Sequence, residues 1–110
     1  MADFSFSYEA PLHEAFPSLH DAQQAFLSQI DSLPAPDRKT HELIRMVCMV
    51  VLGNEQGVER HARLATEVGA EWDELLGSIM LTVPGFGLAR AVEAMPAARR
   101  GFDSAPPADD

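Results

Sequence analysis

GNEQGVERHARLATEVGA, residues 53–70, is the stretch on which the reading of this chain turns. Gly53-Asn54 is a chain-breaking pair. After it, Glu59, Arg63 and Glu67 recur at i,i+4 spacing, the pattern of a solvated helix face. Gly69 stands where a helix stops on a left-handed residue. The segment therefore predicts a helix over roughly 55–68. At about 100° of rotation per residue, Val58, His61, Ala62, Ala65 and Val68 fall on its other side. A histidine on a core-facing stripe has two readings. Its ring packs there and hydrogen-bonds a carbonyl or carboxylate, or it does acid/base chemistry.

The flanking segments are helical as well. Upstream, DRKTHELIRMVCMVVLG starts at Asp37 or Pro36 and is apolar all round in its second half, which predicts a buried central helix. Cys48 lies in that run and reads as a small buried hydrophobe rather than a reactive thiol. Before it, SLHDAQQAFLSQIDSL offers Ser18 as a cap and Asp21 as the capping-box acid. Its apolar stripe is Leu19, Ala22, Phe26, Ile30 and Leu33. Pro34-Ala35-Pro36 separates these two helices. Downstream, EWDELLGSIMLTV carries Trp72, Leu75, Leu76, Ile79 and Val83 on one stripe, PGFG at 84–87 interrupts it, and LARAVEAM forms a last helix before Pro96.

No run alternates with period two, and no internal repeat is present. The expected fold is all-α: a single-domain bundle of about five helices over residues 11–102. Residues 1–10 read as an irregular arm and 103–110 as a disordered acidic tail. Phe4, Phe6 and Tyr8 alternate with polar residues in the arm, which makes it either a strap across another surface or a loosely packed terminus.

Composition narrows the function classes. The formal net charge of −9 repels phosphate backbones, so no nucleic-acid partner is expected. The apolar run MVCMVVL at 46–52 is far short of the roughly 20 residues a membrane span requires, and no basic amphipathic surface helix is present. Cys48 is the only cysteine, so the chain has neither an internal disulfide nor a thiolate zinc cluster, and a cytoplasmic location is expected. His13, His20 and His41 show no metal-ligand spacing with His61, so neither metal nor cofactor is expected.

The order of elements resembles a known family. A buried helix with an early glutamate, a Gly-Asn turn, a helix with a histidine in its second turn, GAEWDEL and a Pro/Gly break resemble the carboxymuconolactone decarboxylase and alkylhydroperoxidase D-like family over residues 33–95. The peroxidase branch looks like a glutamate followed later by C-x-x-C-x-x-x-H. Counted back from His61, its cysteine positions fall on Gly57 and Asn54, and its glutamate position on Glu42. Thiol peroxidase chemistry needs a nucleophilic and a resolving thiol, so that activity is rejected. The decarboxylase branch resembles this chain in lacking both cysteines, and V-E-R-H at 58–61 is close to its E-x-R-x-H stretch. Two departures are Gly77, where that branch carries a glutamate, and VPGFGLARA, where it has aromatic-x-G-x-P-x-A.

The resemblance implies a cofactor-free acid/base enzyme of decarboxylase, lyase or tautomerase type, with a small carboxylated lactone or enolisable compound as substrate. His61 would move the proton and Glu42 would fix its tautomer. Gln56 or free N–H groups in the first turn would face developing enolate charge. Arg45, Arg60 and Arg90 could hold a substrate carboxylate, and Phe86 in the Pro/Gly break would wall the pocket. Two other readings stand beside the enzyme: a non-catalytic oligomeric module, and a small-molecule binding protein.

Periodicity raises one objection to the pair. Glu42 is about 16 Å along its helix from Gly53, and His61 only about 9–12 Å along the next. In a simple antiparallel hairpin the two are not level, so they meet only if the helices cross obliquely or start unevenly. Finally, a helix apolar all round needs cover that a small chain with six phenylalanines and one tryptophan supplies poorly, which predicts a homo-oligomer. The resemblance implies a trimer or hexamer.

Overall fold

The computed structural model describes residues 9–106; the aromatic arm Phe4–Tyr8 and residues 107–110 of the tail lie outside them. The described residues form helices α1 (Glu9–Ala15), α2 (Pro17–Asp31), α3 (Arg38–Leu52), α4 (Glu55–Glu67), α5 (Trp72–Met80), α6 (Val83–Phe86) and α7 (Leu88–Ser104), with no strand among them. The fold is all-α. Helices α2, α3, α4, α5 and α7 are the expected five, and α1 and the single turn α6 are additions. No helix among the described residues is long and apolar enough to cross a membrane.

The chain separates between Pro34 and Ala35 into two compact units, where the sequence predicts one domain. The division falls at Pro34-Ala35-Pro36, whose prolines lack N–H groups and push their neighbours out of helical geometry. The first unit is the α1–α2 pair. Its second helix begins at Pro17, one residue before the expected cap Ser18, because the ring presets the dihedral that a first helical residue needs. Phe16, with φ −141° and ψ 72°, makes the bend between α1 and α2. None of the expected α2 stripe is buried, and Leu19, Phe26 and Leu33 are each more than half exposed.

The second unit holds the core. Asp37 caps α3 by accepting the Thr40 N–H at 2.8 Å. Gly53 then turns the chain in the left-handed conformation, with φ 73°. Asn54 caps α4 by accepting the Gly57 N–H at 2.9 Å. Lys39 of α3 meets Glu74 of α5 at 2.7 Å. Met46 and Val50 of α3 pack with Val58, Ala62 and Ala65 of α4, Leu75 and Ile79 of α5, and the alanines of α7.

Two expectations about burial and length are corrected here. Cys48 is exposed, not buried. The second half of α3 is apolar all round, but α4, α5 and α7 of its unit cover the side bearing Met46 and Val50, leaving Ile44, Cys48 and Leu52 outside. Helix α7 also does not stop at Pro96 but runs on to Ser104, through the start of the expected tail. Proline removes one ladder bond. The buried face beyond it, Ala97, Ala98 and Gly101, keeps the helix seated in the core.

Gly101 marks a close approach of α7 to α4. A Cβ there would run into the backbone oxygen of Glu59 and the side chain of Ala62. Backbone gives way poorly, so Gly101→Ala should cost about 1–3 kcal/mol. Urea unfolding followed by circular dichroism checks this; an unchanged midpoint would show that the two helices separate freely.

Candidate active site

The feature of the second unit with chemical capacity is a buried carboxylate–imidazole pair. Glu42 lies in the second turn of α3 and His61 in the second turn of α4; both are buried. The Nδ1 of His61 lies 2.9 Å from Oε1 of Glu42. The axial offset that periodicity exposes is about 4.5 Å, or three residues of rise, and the two polar side chains span it. The other carboxylate oxygen, Oε2, accepts a hydrogen bond from Arg38 at 2.9 Å. Arg38 also reaches Nδ1 of His41 at 3.2 Å, where the guanidinium donates and the ring accepts.

Burial pushes the Glu42 carboxyl up, but the His61 hydrogen bond and the positive charges of His61, Arg38 and Arg45 outweigh it. Its pKa therefore lies below the ordinary 4.5. An ionised carboxylate only accepts, so Nδ1 of His61 must be the donor. That fixes the neutral ring with its lone pair on Nε2, the arrangement a general base needs. The His61 side chain shows 8 % of its area to solvent, a small opening at an otherwise buried ring.

The depressed pKa has a consequence for acid stability. Above about pH 4.5 Glu42 is ionised in both folded and unfolded chains. Below it the unfolded chain takes up a proton first, so stability falls as pH drops through the folded value. Asp37, held down by the Thr40 hydrogen bond, and Glu74, held down by Lys39, act in the same direction. Thermal unfolding followed from neutral pH to acid should show this loss, with a shallower acid limb in Glu42→Gln. Equal limbs in the two proteins would mean that Glu42 is not the group being protonated.

The remaining candidate residues are dispersed. Arg45 is half-buried one turn beyond Glu42, close enough for its charge to act on the carboxylate. Arg60 is half-buried next to His61 in the chain. Gln56 is exposed and sits about 140° round α4 from His61. The first-turn N–H of Gly57 is already taken by Asn54, so it is not free for an enolate oxygen. Phe86 is exposed at the end of α6, which packs on α7. Sequence reasoning missed Arg38, although an arginine four residues before a glutamate on one helix was the available signal.

The positions of the missing cysteines now have structural occupants. Asn54 is the α4 cap, and Gly57 is buried where a Cβ would strike the Met49 side chain. Gly77 is exposed, and a Cβ there would meet nothing within 4 Å. A cavity of about 350 Å3 opens where the end of α3, the start of α4 and α7 converge. Met49, Val50 and Val58 supply its apolar floor, and Glu55, Arg90 and Glu93 its polar groups. His61 and Glu42 do not line it; Val58 is the lining residue one turn before His61.

The model of the carboxymuconolactone decarboxylase family matches residues 17–100. No curated protein and no solved structure matches the chain.

Proposed function

The chain belongs to the carboxymuconolactone decarboxylase family, and on that premise we propose that it is a cofactor-independent acid/base enzyme acting on a small carboxylated lactone or another enolisable carbonyl compound. The observation that supports this is the buried Glu42–His61 contact at 2.9 Å, with Arg38 on the second carboxylate oxygen. Glu42 is thereby held ionised and oriented, and His61 presents Nε2 to the reacting carbon.

In a decarboxylation, the bond from carbon to the departing carboxylate breaks and its electron pair delocalises as an enolate. Protonated His61 then delivers its Nε2 proton to that carbon, and Glu42 stabilises the imidazolium beforehand. In an isomerisation, neutral His61 removes a proton from the carbon beside the carbonyl and returns it at the other end of the enolate. A substrate carboxylate would be held by Arg45 or Arg60, the half-buried arginines that stand beside Glu42 and His61 in the chain.

The test is incubation with a panel of small carboxylated lactones and β-keto acids in deuterated water. Carbon dioxide release, or deuterium incorporated next to the carbonyl, supports the proposal. Neither, across the panel, counts against it. The cavity beside Val58 favours a second reading, a small-molecule binding protein, because its walls exclude the reactive pair. Saturable binding of a panel member without turnover, weakened by Arg90→Ala, is the outcome that selects this second reading.

A further inference from the structure

We propose that His13, His20 and Asp21 form a binding site for a divalent transition-metal ion of the zinc type at the α1–α2 bend. The site lies wholly within the first unit and is independent of the acid/base chemistry assigned to Glu42 and His61. One ligand atom from each of the three residues lies within 4.8 Å of the other two. The Nδ1 of His20 is 3.8 Å from Oδ1 of Asp21, and the rings of His13 and His20 meet edge-on with centroids 4.9 Å apart.

The bend creates this cluster. Residues seven apart on a straight helix share a face but are separated by about 10.5 Å of rise. His13 and His20 have that spacing, and the break at Phe16 and Pro17 falls between them. The chain stays hydrogen-bonded through the break, from Phe16 N–H to Leu12 O at 2.8 Å and from His20 N–H to Phe16 O at 3.0 Å. It folds the two faces toward each other, which is why the rings touch.

A second observation points to a ligand. The Nδ1 of His20 is shielded from solvent and has no hydrogen-bond partner. A desolvated ring nitrogen without a partner carries a penalty that a metal ion would relieve. Two imidazoles and a carboxylate suit zinc, cobalt, nickel or copper, whereas calcium and magnesium prefer oxygen-only sets. Tetrahedral zinc with bonds near 2.0–2.1 Å holds its donors about 3.3 Å apart, so small side-chain rotations close the site. His13 and Asp21 are exposed, which leaves a path for the ion and a position for water. The net charge of −9 favours cation approach.

The experiment uses the full chain with any affinity tag removed, stripped of metal by chelator. Cobalt(II) is titrated and followed by visible d–d absorption, and zinc(II) by calorimetry. One ion per chain is expected, with the intense absorption of a low-coordinate cobalt site. His13→Ala and His20→Ala should each weaken binding by at least about tenfold. His61→Gln and His41→Ala should leave it unchanged, since those rings lie outside the cluster. Should a variant lose its helical circular dichroism, ring-nitrogen nuclear magnetic resonance of the unaltered chain decides instead: zinc should shift the His13 and His20 signals alone. Absence of saturable binding, binding that survives loss of both His13 and His20, or shifts confined to His41 or His61 would overturn the proposal.

Discussion

His61→Gln should lower turnover of any substrate found in the lactone panel by about 10²–10⁴-fold, the range that general acid/base groups supply. Glutamine is chosen because its amide N–H can still donate to Oε1 of Glu42, so the buried carboxylate keeps a partner on that oxygen. What it lacks is a basic nitrogen at the position of Nε2. His61→Ala should lose as much activity but also stability, because the buried Oε1 of Glu42 then loses its hydrogen bond to the ring. Glu42→Gln should lose less turnover than either, since the imidazole remains while its tautomer is no longer imposed. Steady-state rates per folded molecule check the series. Full activity in a folded His61→Gln would remove His61 from the chemistry.

Light scattering at micromolar concentration should report a multiple of 12.0 kDa, with three- or sixfold the expected values. The reasoning is the apolar surface left open within the chain. Leu19 and Phe26 on α2, Leu33 just past its end, Ile44 and Leu52 on α3, and Leu81, Phe86, Leu88 and Val92 around α6 and α7 are all exposed large hydrophobics. Leu19 and Phe26, seven residues apart, and Ile44 and Leu52, eight apart, each share one side of their helix, unlike the scattered single residues that any surface tolerates. The same association would explain how a nearly closed His61 acquires a pocket, with a second copy completing the wall over its exposed edge. Ile44→Glu or Phe26→Glu should shift the mass toward one subunit, because a charge on such a stripe would be desolvated on association. A single-subunit mass for the unaltered chain, unchanged over about tenfold concentration, would rule out self-association and leave the pocket to one chain.

Much of this protein is written locally. The spacing of Val58, His61, Ala62, Ala65 and Val68 puts His61 on the inner face of α4, and the structure buries the first four, while Val68, the cap beyond the last turn, is exposed. Gly53-Asn54 was legible as the α3–α4 turn because its chemistry is local: a left-handed glycine, then a side-chain cap. The same holds for Asp37 at the start of α3. These features depend on dihedral preferences and neighbours within four residues, so sequence determines them.

Tertiary structure decided the rest. Whether Glu42 reaches His61 depends on how two helices lie against each other, which periodicity on either one does not contain. Pro96 is a stop signal by local rules, yet α7 continues through it because its alanines and Gly101 are held against α4. Cys48 looked buried because an apolar run does not say which of its sides a neighbour covers. His13 and His20 stand seven residues apart, and it is the Phe16 bend that brings their rings together. In each case local pattern marks what a residue prefers, and only the packing of distant segments determines what it touches.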